Sequence, residues 1–128
     1  MIENVRKETL EILLDTLPVE FSFIDETDTV RIFNKNGDRI FPRTSSVIGR
    51  RVQDCHPSKS LHKVQQIIDE MKAGSRDIAE FWIDHRGMKV VIRYFAVRGK
   101  DGKYLGCLEV SQDITEIKKI KGEKRLLD

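Results

Sequence analysis

Between Lys35 and Pro57 the chain carries Gly37, Pro42, Gly49 and Pro57. Proline fixes φ and removes a backbone donor, and glycine loosens any regular element it interrupts. No helix or strand of ordinary length runs through this stretch. A connection this long with little regular structure is uncommon in a compact domain and often forms a functional wall. It splits the chain into a short N-terminal part and a longer C-terminal part, and the fold must bring the two together across it.

In the N-terminal part, residues 1–17 predict a helix. Leu10, Leu13, Leu14 and Leu17 fall at i, i+3, i+4 and i+7, and Pro18 ends the run. This apolar stripe needs cover from the domain, from a second copy or from an upstream domain. Residues 21–25 and 30–34 then alternate around the polar turn Glu26-Thr27-Asp28-Thr29, which reads as a β-hairpin.

In the C-terminal part, residues 58–73 predict the clearest helix. Leu61, Val64, Ile68 and Met71 form its stripe with Ile67 beside them, Ser58 is placed to cap its start, and Gly74 to stop it. Residues 77–84, 89–98 and 104–112 predict three strands. They are joined by turns holding His85-Arg86-Gly87 and Gly99-Lys100-Asp101-Gly102-Lys103. From Asp113 a charged helix is expected, with Ile114, Ile117 and Ile120 on one side and Asp113 or Thr115 at its cap. The order gives an α+β fold: a five-stranded antiparallel sheet, a helical crossover on one face and flanking helices at both ends. Three segments follow: a flanking helix over 1–17, a core over 18–113 and a linker helix over 114–128.

The chain has 128 residues, a length that suits one domain, and its 39% hydrophobic content can support a core. A net charge of +2 gives nucleic acid no electrostatic footprint, and the short basic tail adds no aromatic or groove-reading element. The apolar runs are too short to span a membrane. Two cysteines make no disulfide framework, so the expectation is a protein of the reducing cytoplasm.

This order of elements, with the residues themselves, resembles a PAS domain over roughly residues 14–115. Phe23-Ile24-Asp25 followed by Val30 to Asn34 is similar to the opening PAS hairpin. Ile48-Gly49-Arg50-Arg51-Val52 is similar to the segment before the long helix. Tyr104-Leu105-Gly106 and Ser111-Gln112-Asp113-Ile114-Thr115 resemble the last strand and its junction with a signalling helix. Within that class, Ile40-Phe41-Pro42-Arg43, Cys55-His56-Pro57, residues 79–83 and residues 92–97 resemble the C-terminal PAS module of DUF438-type proteins. Those proteins often carry a hemerythrin-like domain upstream. The resemblance implies a sensory or regulatory module, with an upstream domain of the same polypeptide as partner. It also implies a small-molecule ligand or cofactor, haem among the candidates.

Five residues are candidates for the site. Cys55 and His56 stand side by side before a helix N-terminus, where a thiolate and an imidazole can ligate haem iron or zinc. They can also be a small buried hydrophobe and a loop-bonding imidazole. His62 lies on the long helix from which haem-binding PAS domains take an axial histidine. At about 100° per residue, however, it falls nearly opposite the apolar stripe, beside Gln65 and Asp69. His85 sits in a tight turn and is expected at the surface. Arg43 is placed to greet an acidic ligand. Arg93, on an apolar strand, is expected either to pair with Glu109 on the next strand or to meet an anionic ligand.

Strands 77–84 and 89–98 are apolar on both faces, which suggests cover by the first helix, a neighbouring domain or a second copy in a homodimer. The alternative to ligand sensing is therefore a ligand-free module for dimerisation or docking. No phosphate loop, nucleophile elbow or kinase motif is present, so no enzyme is expected. Cys55 with His56 is the one nucleophile and base pair to weigh.

Overall fold

The computed structural model describes all residues except Asn36, Asp38, His56 and Asp128. Helix α1 spans Lys7–Thr16, strands β1 and β2 span Glu20–Asp25 and Val30–Phe33, and helix α2 spans Ser58–Ala73. Strands β3, β4 and β5 span Ile78–His85, Met88–Arg98 and Tyr104–Asp113. The strands form one antiparallel sheet in the order β2-β1-β5-β4-β3. The five-stranded antiparallel sheet expected above is thus present, and each strand lies within two residues of its expected bounds. The last strand inserts beside the first, so the crossover spans the sheet and α2 lies across one face.

Glycine chemistry sets two of the turns. Arg86 and Gly87 both take positive φ, the backbone that matches hairpin twist. Gly74 takes φ 82 after α2, and the Gly74 and Ser75 N–H groups donate to the carbonyls of Met71 and Glu70. The α2 stripe is buried as expected, with Val64, Ile68 and Met71 inside together with Ile24, Val30, Val90, Ile92 and Tyr94. Each such side chain contributes roughly 1.5–3 kcal/mol of burial. Pro57 occupies the N-cap position, one residue ahead of the Ser58 expected there.

Both flanking helices are shorter than expected. The N-terminal segment has a 3-10 turn at Ile2–Asn4, an extended Val5 and then α1, and Ile12, Leu13 and Leu17 remain exposed. Asn34 ties α1 down: its Nδ2 donates to the Leu14 and Val19 carbonyls, and its Oδ1 accepts from the Phe21 N–H. After β5 there is one 3-10 turn at Ile117–Lys119 in place of a helix over 114–128. Ile117 and Ile120 are exposed, and Gly122 takes φ 62. A segment this short without an apolar partner is a marginal helix in water.

Strand alternation divides the sheet. Val90, Ile92, Tyr94, Cys107, Glu109, Ile24 and Ser22 share the face under α2. Val91, Arg93, Phe95, Leu108, Val110 and Trp82 lie on the other, where Trp82 is 63% and Ile78 53% exposed. The close approach of β1 to β5 depends on Gly106, at φ 155, where a Cβ would stand 2.1 Å from the Ile24 carbonyl oxygen and against the Phe23 ring. Gly106→Ala is therefore expected to destabilise the fold by about 3 kcal/mol or more, through backbone strain and overpacking together. Urea unfolding followed by tryptophan fluorescence measures this.

Candidate functional site

A cavity of about 20 Å³ lies between the sheet and α2. That is room for roughly one water, against about 300–1,000 Å³ for a typical small-molecule site. Its apolar wall is Ile24, Val30, Val52, Val64, Ile67 and Ile68, and its polar wall is Ser22, Arg43, Tyr94, Cys107 and Glu109. Ser22, Glu109 and Tyr94 form one row across β1, β5 and β4, because the register places Ser22 opposite Glu109 and Glu109 opposite Tyr94.

Two ion pairs border this row, and they differ in quality. Glu20 is fully engaged. Its carboxylate accepts from the Ile40 and Phe41 backbone N–H groups at 2.7 and 3.0 Å, and the Arg39 guanidinium stands 3.8 Å away. Arg39 in turn donates to the carbonyls of Phe41, Phe21 and Asn34. The second pair is loose. Arg43 Nη2 lies 3.6 Å from Glu109 Oε2, too far for a hydrogen bond, and Arg43 Nε has no partner. The Ser22 Oγ is also buried without a partner.

The electrostatics follow from burial. Desolvation raises the Glu109 carboxyl above the usual carboxylate range, with Glu20 adding to the rise and Arg43 and Arg39 opposing it. Burial pushes the Cys107 thiol up to about 12, with Glu109 adding to the effect. Burial likewise raises the Tyr94 phenol well above its ordinary value.

The expected site residues do not come together. Arg43 lines the cavity. Arg93 lies on the opposite face, where its guanidinium sits over the Phe95 ring. The expected Arg93–Glu109 pair fails because the β4–β5 register sets Glu109 opposite Tyr94, and Val110 opposite Arg93. His62 lines a shallow surface groove with Gln65, Gln66, Asp69 and Glu70, as its place on the helix predicted. Cys55 rests half-buried at the rim of the core, its Sγ 3.5 Å from the Arg51 carbonyl oxygen. His56 lies outside the described residues. His85 departs from its expected surface position, half-buried against the Phe41 ring at 5.1 Å. Among the described residues no group of three or more His, Cys, Asp or Glu is placed to hold a metal. Of the described candidates Cys55, His62, Arg43 and Arg93 only Arg43 lines the cavity, and at about 20 Å³ that cavity does not fit haem as it stands. Glu20, Ser22 and Arg39 escaped sequence reasoning. The signal for Glu20 and Ser22 is the run of polar residues at alternate positions on β1 and β5, on the face that the helix covers; Arg39, in the crossover, has no such signal.

The chain belongs to the PAS domain family, which matches residues 10–115. The C-terminal domain of a Streptococcus mutans protein is 32% identical, with a TM-score of 0.84 over 91% of each chain. The PAS domain of Bordetella pertussis BvgS has a TM-score of 0.62 at 16% identity, over 88% of each chain. A sensory box sensor histidine kinase from Vibrio cholerae has a TM-score of 0.59 at 16% identity, over 83% of this chain and 90% of that one. No curated protein matches. Among the described residues no helix is long and apolar enough to cross a membrane.

The raised Glu109 carboxyl has a consequence for stability. The native state binds this proton more tightly than the unfolded chain does. The resulting stabilisation is therefore full below the ordinary carboxylate range and is lost as pH rises through the raised native value. Glu109→Gln is expected to flatten this fall. Urea midpoints of wild type and variant, in a pH series running upward from below the ordinary carboxylate range, test it.

Proposed function

We propose that this chain is a sensory module whose cavity between the sheet and α2 takes a small molecule, and whose last strand relays the change to a partner domain. The course of β5 carries this reading. Cys107 and Glu109 line the cavity, and six residues beyond Cys107 the strand ends at Asp113. There the Ile114 N–H donates to the Lys89 carbonyl at 2.8 Å, and the Lys89 N–H donates to Thr115 Oγ1 at 2.9 Å. A shift of β5 against β4 acts on these bonds directly, and on this reading that shift is the change a ligand biases. The module is read as non-catalytic.

The histidine kinase relative supports a signalling role. The Streptococcus mutans relative is the C-terminal domain of its protein, which supports a place after an upstream domain. We take that domain to be hemerythrin-like, as the resemblance to DUF438-type proteins implies. A leucine at Ser22 fills the polar end of the cavity from within. Ser22→Leu is expected to change hydrogen exchange at the Ile114 amide by about three-fold or more while the near-UV circular dichroism stays native. Unchanged exchange in a folded variant overturns the relay.

A second reading is favoured by the outer sheet face and α1. Trp82, Ile78, Ile12, Leu13 and Leu17 are exposed apolar residues of a kind that marks an interaction surface. On this reading the chain dimerises or docks through that face. Sedimentation equilibrium is expected to give a concentration-dependent mass that Trp82→Glu returns to the monomer. A monomer at all concentrations counts against the dimer.

A further inference from the structure

We infer that the cavity is a site for a short-chain monocarboxylate, with its carboxylate on Arg43 and Ser22 and its hydrocarbon along Ile24, Val52 and Val64. This deepens the pocket reading proposed above and rests on it. The argument begins with the contrast between the two ion pairs. Glu20 and Arg39 are each satisfied by backbone groups, and they offer nothing to a ligand. Arg43 and Glu109 stand apart at 3.6 Å, and Arg43 keeps an unpartnered Nε.

Beside them, Ser22 is 5% exposed and its hydroxyl lines the cavity with no partner. Leaving such groups unpaired in a low-dielectric interior is costly. A carboxylate satisfies both: the arginine donates to one oxygen and the serine to the other, in charge-assisted bonds. The remaining wall is apolar and comes from α2, the crossover, β1 and β2. A ligand matching that division has one anionic end and a short aliphatic body. The cavity of about 20 Å³ holds about one water as it stands, so it must widen to take even a short acid. Widening falls to the crossover, whose described residues carry only single 3-10 turns at Ser45–Val47 and Val52–Asp54.

Glu109 decides the pH dependence. The groups around it are Arg43 and Arg39 from the crossover, Glu20 and Ser22 from β1, Tyr94 from β4 and Cys107 on its own strand. The four charged groups sum to zero when both carboxylates are ionised, so an entering anion meets no net attraction. Once Glu109 takes a proton the site carries one net positive charge. Tyr94 and Cys107 stay neutral, since burial raises both. Binding of the anion is thus coupled to proton uptake at Glu109.

The test is a titration of the ¹⁵N-labelled protein with acetate, propionate, butyrate and hexanoate, with butylamine as the control of opposite charge. Saturable shifts are expected at the Ser22, Arg43 and Val64 amides. Affinity is expected to rise as pH falls through the Glu109 value, by up to about ten-fold per pH unit. Glu109→Gln is expected to bind with no such dependence. Arg43→Gln is expected to abolish the shifts while keeping a native spectrum. If that variant does not fold, Arg43→Lys, which keeps the charge and loses Nε, is expected to weaken binding by about ten-fold. No saturation with any acid, equal binding of butylamine, or full binding by the folded arginine variants overturns the inference. Saturable butyrate binding with unchanged exchange at Ile114 leaves this inference standing and overturns the relay. The reverse result overturns this inference alone.

Discussion

A single carboxylate at the start of β1 holds the crossover to the sheet. Glu20 sits where a strand would ordinarily present an apolar side chain to the covering layer, and it is buried. Taking a carboxylate out of water costs several kcal/mol, and only close partners offset this. Here the partners are two successive backbone N–H groups, at Ile40 and Phe41, and the Arg39 guanidinium. Those N–H groups belong to a stretch whose described residues carry only single 3-10 turns, so without Glu20 these part-buried donors would lose their acceptor. The clamp therefore gives an irregular segment one conformation. Everything that segment carries inherits that position, including the Arg43 guanidinium over the cavity and Phe41 against His85.

The parts of this arrangement that were legible in the sequence are those set by local rules. Turn residues with positive φ placed the hairpin at Arg86-Gly87, and Gly74 marked the end of α2. The period of Val64, Ile68 and Met71 picked the buried side of α2 and, by exclusion, the outward place of His62. What stayed illegible depends on register and on partners distant in sequence. Arg93 and Glu109 illustrate the first. The β4–β5 pairing shifts by a bulge at Val97/Arg98, and one residue of slip moves every side chain to the other face. Arg39 and Glu20 illustrate the second, since their meeting requires the whole loop to fold back. The tail after Asp113 illustrates a third case. Its helical pattern is real, but the described residues offer Ile117 and Ile120 no surface to cover.

The sheet distributes polarity in an unusual way. Its covered face carries Glu20, Ser22, Glu109 and Ser111 on the neighbouring strands β1 and β5, while its open face carries Phe95, Leu108, Val110 and Trp82. Hydrophobic burial within one chain is reduced on both counts. Specificity takes the place of part of it: polar groups inside accept few alternative packings, and each must find its partner. Tolerance to substitution should differ between the faces accordingly. Conservative apolar exchanges on the open face change little, while isosteric loss of a polar atom inside leaves a neighbour stranded.

The pairing of β1 with β5 has one more consequence. Glu20 lies opposite Ser111, so the chain comes into the sheet and leaves it side by side, at the same end of the paired strands β1 and β5. Segments joined ahead of β1 and beyond β5 are thereby brought to a common origin. A domain built this way can be spliced into a longer polypeptide as a cassette without forcing its neighbours apart. Any sliding between those two strands would move both neighbours at once, in opposite directions along one axis.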